Sequence, residues 1–224
     1  MAQLITGLVT ERVRSNVEQV RAEIDAAARR VGRDPQEVEL LAAVKYIPVQ
    51  ELGVLVDAGI TLVGENRAQD LQTKVAAYRQ RFVWDFIGQL QSRKVRQIMP
   101  HVRLIHSLAS ESALAELQKY SDQARPGLEV LVEVNVAGES GKAGISPGDL
   151  DSFIERCPVP VSGLMTMPPQ ATDPEDSRHW FAALRVLAKS HGLRRLSMGT
   201  TQDFTVAVEE GATIVRIGSR LYKG

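Results

Sequence analysis

The sequence predicts an α/β fold: a single (β/α)8 barrel of the TIM type, with one extra helix at its N-terminal end. Three observations predict it. Short apolar runs alternate with amphipathic helical stretches about eight times along the chain, the pattern of parallel strands joined by right-handed crossovers. No GxGxxG or GxxxxGK[ST] motif follows any early run, so the main signatures of the competing doubly wound sheet are missing. Polar and small residues gather at the C-terminal ends of the apolar runs, where a barrel builds its site.

The elements follow in order. Between residues 10 and 31, Val13, Val17, Val20, Ile24, Ala27 and Ala28 recur at helical spacing. Gly32 then supplies a stop, and Asp34-Pro35 a turn. Strands are expected at residues 39–44, 61–64, 83–88, 103–107, 128–136, 161–166, 195–198 and 214–217. Helices are expected between them at residues 49–58, 67–81, 94–99, 111–121, 148–154, 177–191 and 205–210. Seven residues follow Ile217, too few for an eighth crossover helix, so the N-terminal helix is expected to cover the side left bare. No Ser/Pro-rich linker or low-complexity stretch interrupts the pattern, and residues 1–224 read as one domain.

Composition excludes several function classes. Lys plus Arg and Asp plus Glu both number 27, so no net field recruits nucleic acid or a membrane surface. Within the first 20 residues, charges at Glu11, Arg12, Arg14 and Glu18 fall where a signal peptide needs an apolar stretch. No apolar run approaches the roughly 20 residues that span a bilayer. The lone Cys157 fits a reducing compartment, and a cytoplasmic protein is expected. His101, His106, His179 and His191 show no metal-ligand spacing; His106, alone among them at a strand end, reads as structural or supporting.

Lys45 is the most informative single residue. It closes the run Leu40-Leu41-Ala42-Ala43-Val44, which brings its amine to a barrel mouth, where desolvation favours a nucleophilic amine. A lysine that merely snorkels to solvent is the plainer reading of position alone. The loops after the seventh and eighth strands add weight. Ser197, Met198 and Gly199 end one, Gly218 and Ser219 the other, and Thr200 and Thr201 stand close by. Glycine lets backbone N–H groups approach phosphate oxygens, and serine adds a hydroxyl donor. A lysine facing two such loops suits a phosphate-bearing aldehyde. Arg216 lies inside the last strand and needs an anion or a ring nitrogen as partner, or an ion pair with Glu65 or Glu133. Asn66 and Met165 end the second and sixth strands and complete the set of candidate binding residues.

At these residues the chain resembles a known family. LLAAVKYIP, LVGENRAQDLQTK, WDFIGQLQSRKVR, IHSL, VNVAGESGKAGI, GLMTMPP and LSMGTTQDFTVAVEEGATIVRIGSRLYKG, taken in order, closely resemble the YggS/PROSC family of pyridoxal 5′-phosphate (PLP) homeostasis proteins. The family looks like the barrel domain of alanine racemase without its second, β-rich domain. The resemblance implies PLP held as a Schiff base on Lys45, with Arg216 beside the pyridine nitrogen and Asn66 near the lysine and the ring. It also implies phosphate contacts at Ser197, Met198, Gly199, Gly218 and Ser219. Gln89 stands where the family more often has His, and Ser219 where Thr is commoner. The function so implied is intracellular carriage or buffering of PLP by a monomer that meets apo PLP-dependent enzymes transiently. A weak racemase-like enzyme and a PLP-responsive regulator are the alternatives. Catalytic turnover is not expected. An arginine at the ring nitrogen weakens the electron sink, and no tyrosine reads as a second base, Tyr46 being expected to point away from Lys45.

Overall fold

The structure is a computed structural model that describes residues 4–223. Eight parallel strands close into a barrel in sequence order. They are β1 (Glu39–Ala43), β2 (Leu62–Glu65), β3 (Val83–Phe86), β4 (Leu104–Leu108), β5 (Glu129–Glu133), β6 (Val161–Met165), β7 (Arg195–Thr200) and β8 (Ile214–Ile217). The helices are α1 (Thr10–Arg30), then α2 (Leu52–Asp57), α3 (Ala68–Tyr78), α4 (Val95–Ile98), α5 (Glu111–Lys119), α6 (Leu150–Glu155), α7 (Arg178–Ser190), α8 (Phe204–Glu209) and α9 (Ser219–Tyr222). The strands β1 and β8 pair from Glu39–Ile214 to Ala42–Ile217, which seals the ring.

Helix α1 buries Val13, Val17, Val20, Ile24, Ala27 and Ala28, the stripe its periodicity predicts. That stripe packs against α2, α8 and α9. Each fully buried Val or Ile side chain contributes about 1.5–3 kcal/mol, so α1 is held by its apolar face rather than by helix propensity. Past its end, Gly32 takes φ +71° and donates to Arg29 O. The next residue, Arg33, donates to Val208 O and Ala212 O and ties α1 to the end of α8. The tail after Ile217 does form a helix, but of one turn only, and α1 covers the adjoining gap.

Two apolar clusters divide the interior. The larger lies between strands and helices, and the smaller consists of Leu41, Leu62, Leu104, Leu131, Met165 and Ile214 from six strands. The smaller set follows the inward side of the pleat, where residues i and i+2 share a face. Inward-facing Gly64 belongs to this packing, because a Cβ there would sit 2.5 Å from Leu41 Cδ2.

The register shifts between β7 and β8 in the stretch from Ser197 to Thr200, where Gly199 takes φ +87°. A Cβ on Gly199 would lie 2.5 Å from Ala207 Cβ and 3.0 Å from Phe204 Cα. The glycine is therefore demanded by the close seating of α8 on β7, as well as by its backbone angle.

Candidate functional site

Strand β1 ends at Ala43, and Lys45 stands in the turn beyond it, half-buried. The period-two alternation has stopped by then. Tyr46 consequently does not point away: Lys45 and Tyr46 line one cavity of about 390 Å3, with Lys45 Nζ 4.8 Å from the Tyr46 ring centroid. Asn66, Thr201, Arg216, Gly218, Ser219 and Tyr222 line the same cavity.

A buried ion pair fixes the lysine turn. Lys74 on α3 is buried and donates both to Glu65 Oε2 at 2.5 Å and to Val44 O at 2.7 Å. The other carboxylate oxygen, Glu65 Oε1, accepts from the backbone N–H of Asn66 at 2.6 Å and of Arg67 at 3.2 Å. One acid thus joins the end of β2, the start of α3 and the residue before Lys45. Glu65 is committed to Lys74 and is not the partner of Arg216. Gly88 supports the same corner, since a Cβ there would fall 2.1 Å from Asn66 O.

The Arg216 guanidinium is buried, and its contacts are almost all neutral. Nη1 donates to Ser197 O at 2.8 Å and to Ser197 Oγ, and Nη2 donates to Thr166 O at 3.0 Å. Burial pushes its pKa down to about 10, with the charges of Glu133 and Asp203 opposing. Behind it runs a buried polar chain. His106 Nδ1 lies 2.8 Å from Ser197 Oγ, and His106 Nε2 lies 3.2 Å from Asp85 Oδ2. Asp85 is gripped by Arg103, whose Nε and Nη2 reach its two oxygens at 3.1 and 2.8 Å. Burial pushes the Asp85 carboxyl up, but hydrogen bonds and charge from His106 and Arg103 more than reverse this and leave it below its usual value. Burial holds the His106 pKa below its ordinary value, aided by the charges of Arg216 and Arg103 and opposed by Asp85.

On two residues that line the cavity, Asn66 Oδ1 and the Tyr222 hydroxyl are buried and have no hydrogen-bond partner among the described residues. Burial raises the Tyr222 pKa, with the Glu65 charge adding to it, so the phenol keeps its proton.

The candidate residues divide between the wall of the cavity and its support. Lys45, Asn66, Arg216, Gly218 and Ser219 meet in the cavity. Ser197 is fully buried behind Arg216, Met198 belongs to the outer core, and Met165 to the inner cluster. Gly199 borders a neighbouring cavity of about 450 Å3, which shares Met167, Thr200, Gln202 and Arg216 with the first. Sequence reasoning missed Asp85 altogether. Its signal was a lone acid inside the apolar run VWDFIG, on the inward side of β3. Lys74 was missed as well, a lysine on the apolar face of a helix beside Leu71 and Val75. Gln89 is exposed and outside both cavities, and Lys142 pairs with Glu139 on a surface loop. No group of three or more His, Cys, Asp or Glu side chains among the described residues is placed to hold a metal ion.

Comparison with known proteins gives a consistent result. Residues 12–224 match the family model described as alanine racemase, N-terminal domain. The chain is 40% identical over 217 residues to the pyridoxal phosphate homeostasis protein of Aquifex aeolicus, covering 92% of this chain and 95% of that one. A protein of the same name from Pseudomonas aeruginosa is 36% identical, with 94% of each chain covered. Among solved structures, PipY of Synechococcus elongatus with PLP bound superposes with a TM-score of 0.77 at 26% identity, covering 94% of this chain and 100% of PipY.

Proposed function

The chain belongs to the alanine racemase N-terminal domain family, with curated relatives named pyridoxal phosphate homeostasis protein, and on that premise we propose that it binds PLP in the Lys45 cavity and carries or buffers it in the cell. The carrying observation is a convergence in one cavity. A lysine amine, a buried guanidinium with no carboxylate bonded to it, and the side chains of Asn66 and Tyr222 all meet there. A volume near 390 Å3 lies in the usual range of small-ligand sites.

In this reading Lys45 Nζ would hold the aldehyde carbon covalently, the aldehyde oxygen leaving as water. Arg216 donates toward the ring nitrogen, and Asn66 lies beside the ring. Thr201, Gly218 and Ser219, in the loops after β7 and β8, receive the phosphate, as such loops commonly do in barrels. Ser197 acts through Arg216, while Met165, Met198 and Gly199 support the wall. Bound there, PLP supplies a reversible electrophile and a ring able to draw electrons from a substrate. The protein's residues favour the first use over the second. An arginine donor at the ring nitrogen competes with protonation of the ring, and the Tyr222 phenol is held protonated. The rim suits exchange: Met167, Gln202 and Ser219 are exposed there, whereas Arg216 is buried. A cytoplasmic monomer that hands PLP to apo-enzymes by brief contact fits this picture. No helix among the described residues is long and apolar enough to cross a membrane.

The test is a PLP titration followed by visible absorbance. Wild type should develop a new band, and Lys45→Ala should not, while both keep the same far-UV circular dichroism. A second reading, slow racemase-like proton exchange, has Tyr46 in its favour, since its ring lies 4.8 Å from Lys45 Nζ. Solvent-deuterium exchange at the α-carbon of added amino acids separates the two. The carrier reading expects less than about 1 s⁻¹, the lower end of ordinary enzyme turnover.

A further inference from the structure

We propose that Asp85, His106 and Ser197 are positioning residues that aim the Arg216 guanidinium at the ring of bound PLP. The inference rests on the PLP reading and deepens it.

The argument begins with donors and acceptors. Asp85 is fully buried and sits in the two-pronged grip of Arg103, so both its oxygens accept. His106 Nε2, 3.2 Å away, must therefore carry the hydrogen and donate to it. In the neutral ring the other nitrogen, Nδ1, then accepts, and only the Ser197 hydroxyl, 2.8 Å away, can donate. Once its proton faces His106, Ser197 Oγ presents lone pairs to Arg216 Nη1, which donates to it. Every polar atom in the chain has one role, and each role fixes the next. The direction runs from Asp85 on β3, through His106 on β4 and Ser197 on β7, to Arg216 on β8.

The cost of this arrangement argues for a use. Asp85, His106 and Ser197 are each 0% exposed, and they stand in an interior otherwise filled by leucine, isoleucine and methionine. Buried polar groups gain little net stability, and a half-satisfied chain is worse than an apolar core. A barrel that needed only packing has apolar alternatives at all three positions. What the chain supplies is a fixed plane for the guanidinium. Nη1 is pinned by Ser197 and Nη2 by Thr166 O. The far end is anchored through Arg103 to Glu39, at 2.6 Å, on the opposite mouth of the barrel. A buried cation held this way keeps one orientation whether or not a ligand is present, which lowers the ordering cost when PLP enters.

The test compares PLP with its 1-deaza analogue, in which CH replaces the ring nitrogen, by equilibrium dialysis on wild type, His106→Leu, His106→Gln and Ser197→Ala. His106→Leu should weaken PLP by about tenfold, the weight of one good hydrogen bond, while the deaza analogue changes by less than about twofold. Its absorbance maximum with PLP should also move from the wild-type position. His106→Gln, with one acceptor and one donor in the amide, should restore most of the affinity. Ser197→Ala removes a hydroxyl without adding bulk, and should show the same selective loss even if His106→Leu folds poorly. Equal weakening of both ligands, or none of either, overturns the proposal. Failure of wild type to bind PLP at all overturns the PLP reading and this inference with it.

Discussion

Burying the Arg216 guanidinium without a carboxylate bonded to it carries a desolvation cost, which Ser197 O and Thr166 O offset through hydrogen bonds, and burial pushes its pKa down to about 10. A ligand that accepts from this group relieves that cost, so the arginine is poised for binding rather than for stability. His106 has the complementary task, for it must stay neutral. Because its folded pKa lies below the unfolded value, the unfolded chain gains the proton first as pH falls. Its contribution is therefore whole above about pH 6.5 and lost below it, by up to about 1.4 kcal/mol per pH unit. Urea denaturation should show wild-type stability falling more steeply than that of His106→Gln between about pH 6.5 and 5. Parallel curves would mean that His106 takes up its proton in the fold as readily as in the unfolded chain, against this account. The change in slope on substitution reports His106 together with Asp85, whose carboxyl it helps to hold low, while His101 and Glu133, also shifted, are common to both proteins.

The C-terminal end of β7 and the loop after β8 look alike in sequence, a glycine beside a serine or threonine, yet they carry different loads. Gly199 is pressed by α8 and held at positive φ, whereas a Cβ on Gly218 would meet only Ala43 Cβ at an ordinary 3.8 Å. Gly199→Ala should therefore destabilise the whole protein by roughly 1–3 kcal/mol and weaken PLP and pyridoxal alike. Gly218→Ala should cost less in melting temperature and weaken PLP more than pyridoxal, because it obstructs the phosphate end. Thermal melts beside binding curves for both ligands decide between these outcomes. Much of this architecture was legible in the chain. The eight apolar runs became eight strands and the stripe on α1 became the face that closes the ring, because burial on one face writes a period into sequence. Turns write no such period. The alternation that turned Tyr46 away from Lys45 lapsed once β1 ended at Ala43. Asp85 escaped notice because a lone acid in a strand names neither its partner nor its direction. His106 showed only that it ends a strand; its bond to Ser197 spans 91 residues of chain.

At the scale of the whole molecule, the barrel separates what must be rigid from what must exchange. Arg103, Glu39 and Arg195 link the strand-start mouth by ion pairs, and the inner apolar cluster occupies the barrel interior. The opposite mouth is assembled from loops, and an N-terminal strap reaches it. There Ile5 N donates to Tyr46 O, Glu51 accepts from Gly7 N and Leu8 N, and Ile5 lines the Lys45 cavity. Such a design suits a small reactive ligand held on a fixed floor beneath an exposed rim, which is what a carrier requires and more than a packing domain needs. The central claim is that one lysine at this mouth takes PLP. Its most direct test is borohydride trapping of the PLP-loaded protein, followed by proteolysis and mass spectrometry of the modified peptide. The claim predicts one equivalent of reduced adduct per chain, on the peptide containing Lys45, and none in Lys45→Ala. An adduct on Lys74 or Lys142 in the wild type, or no stoichiometric adduct at all, would contradict it.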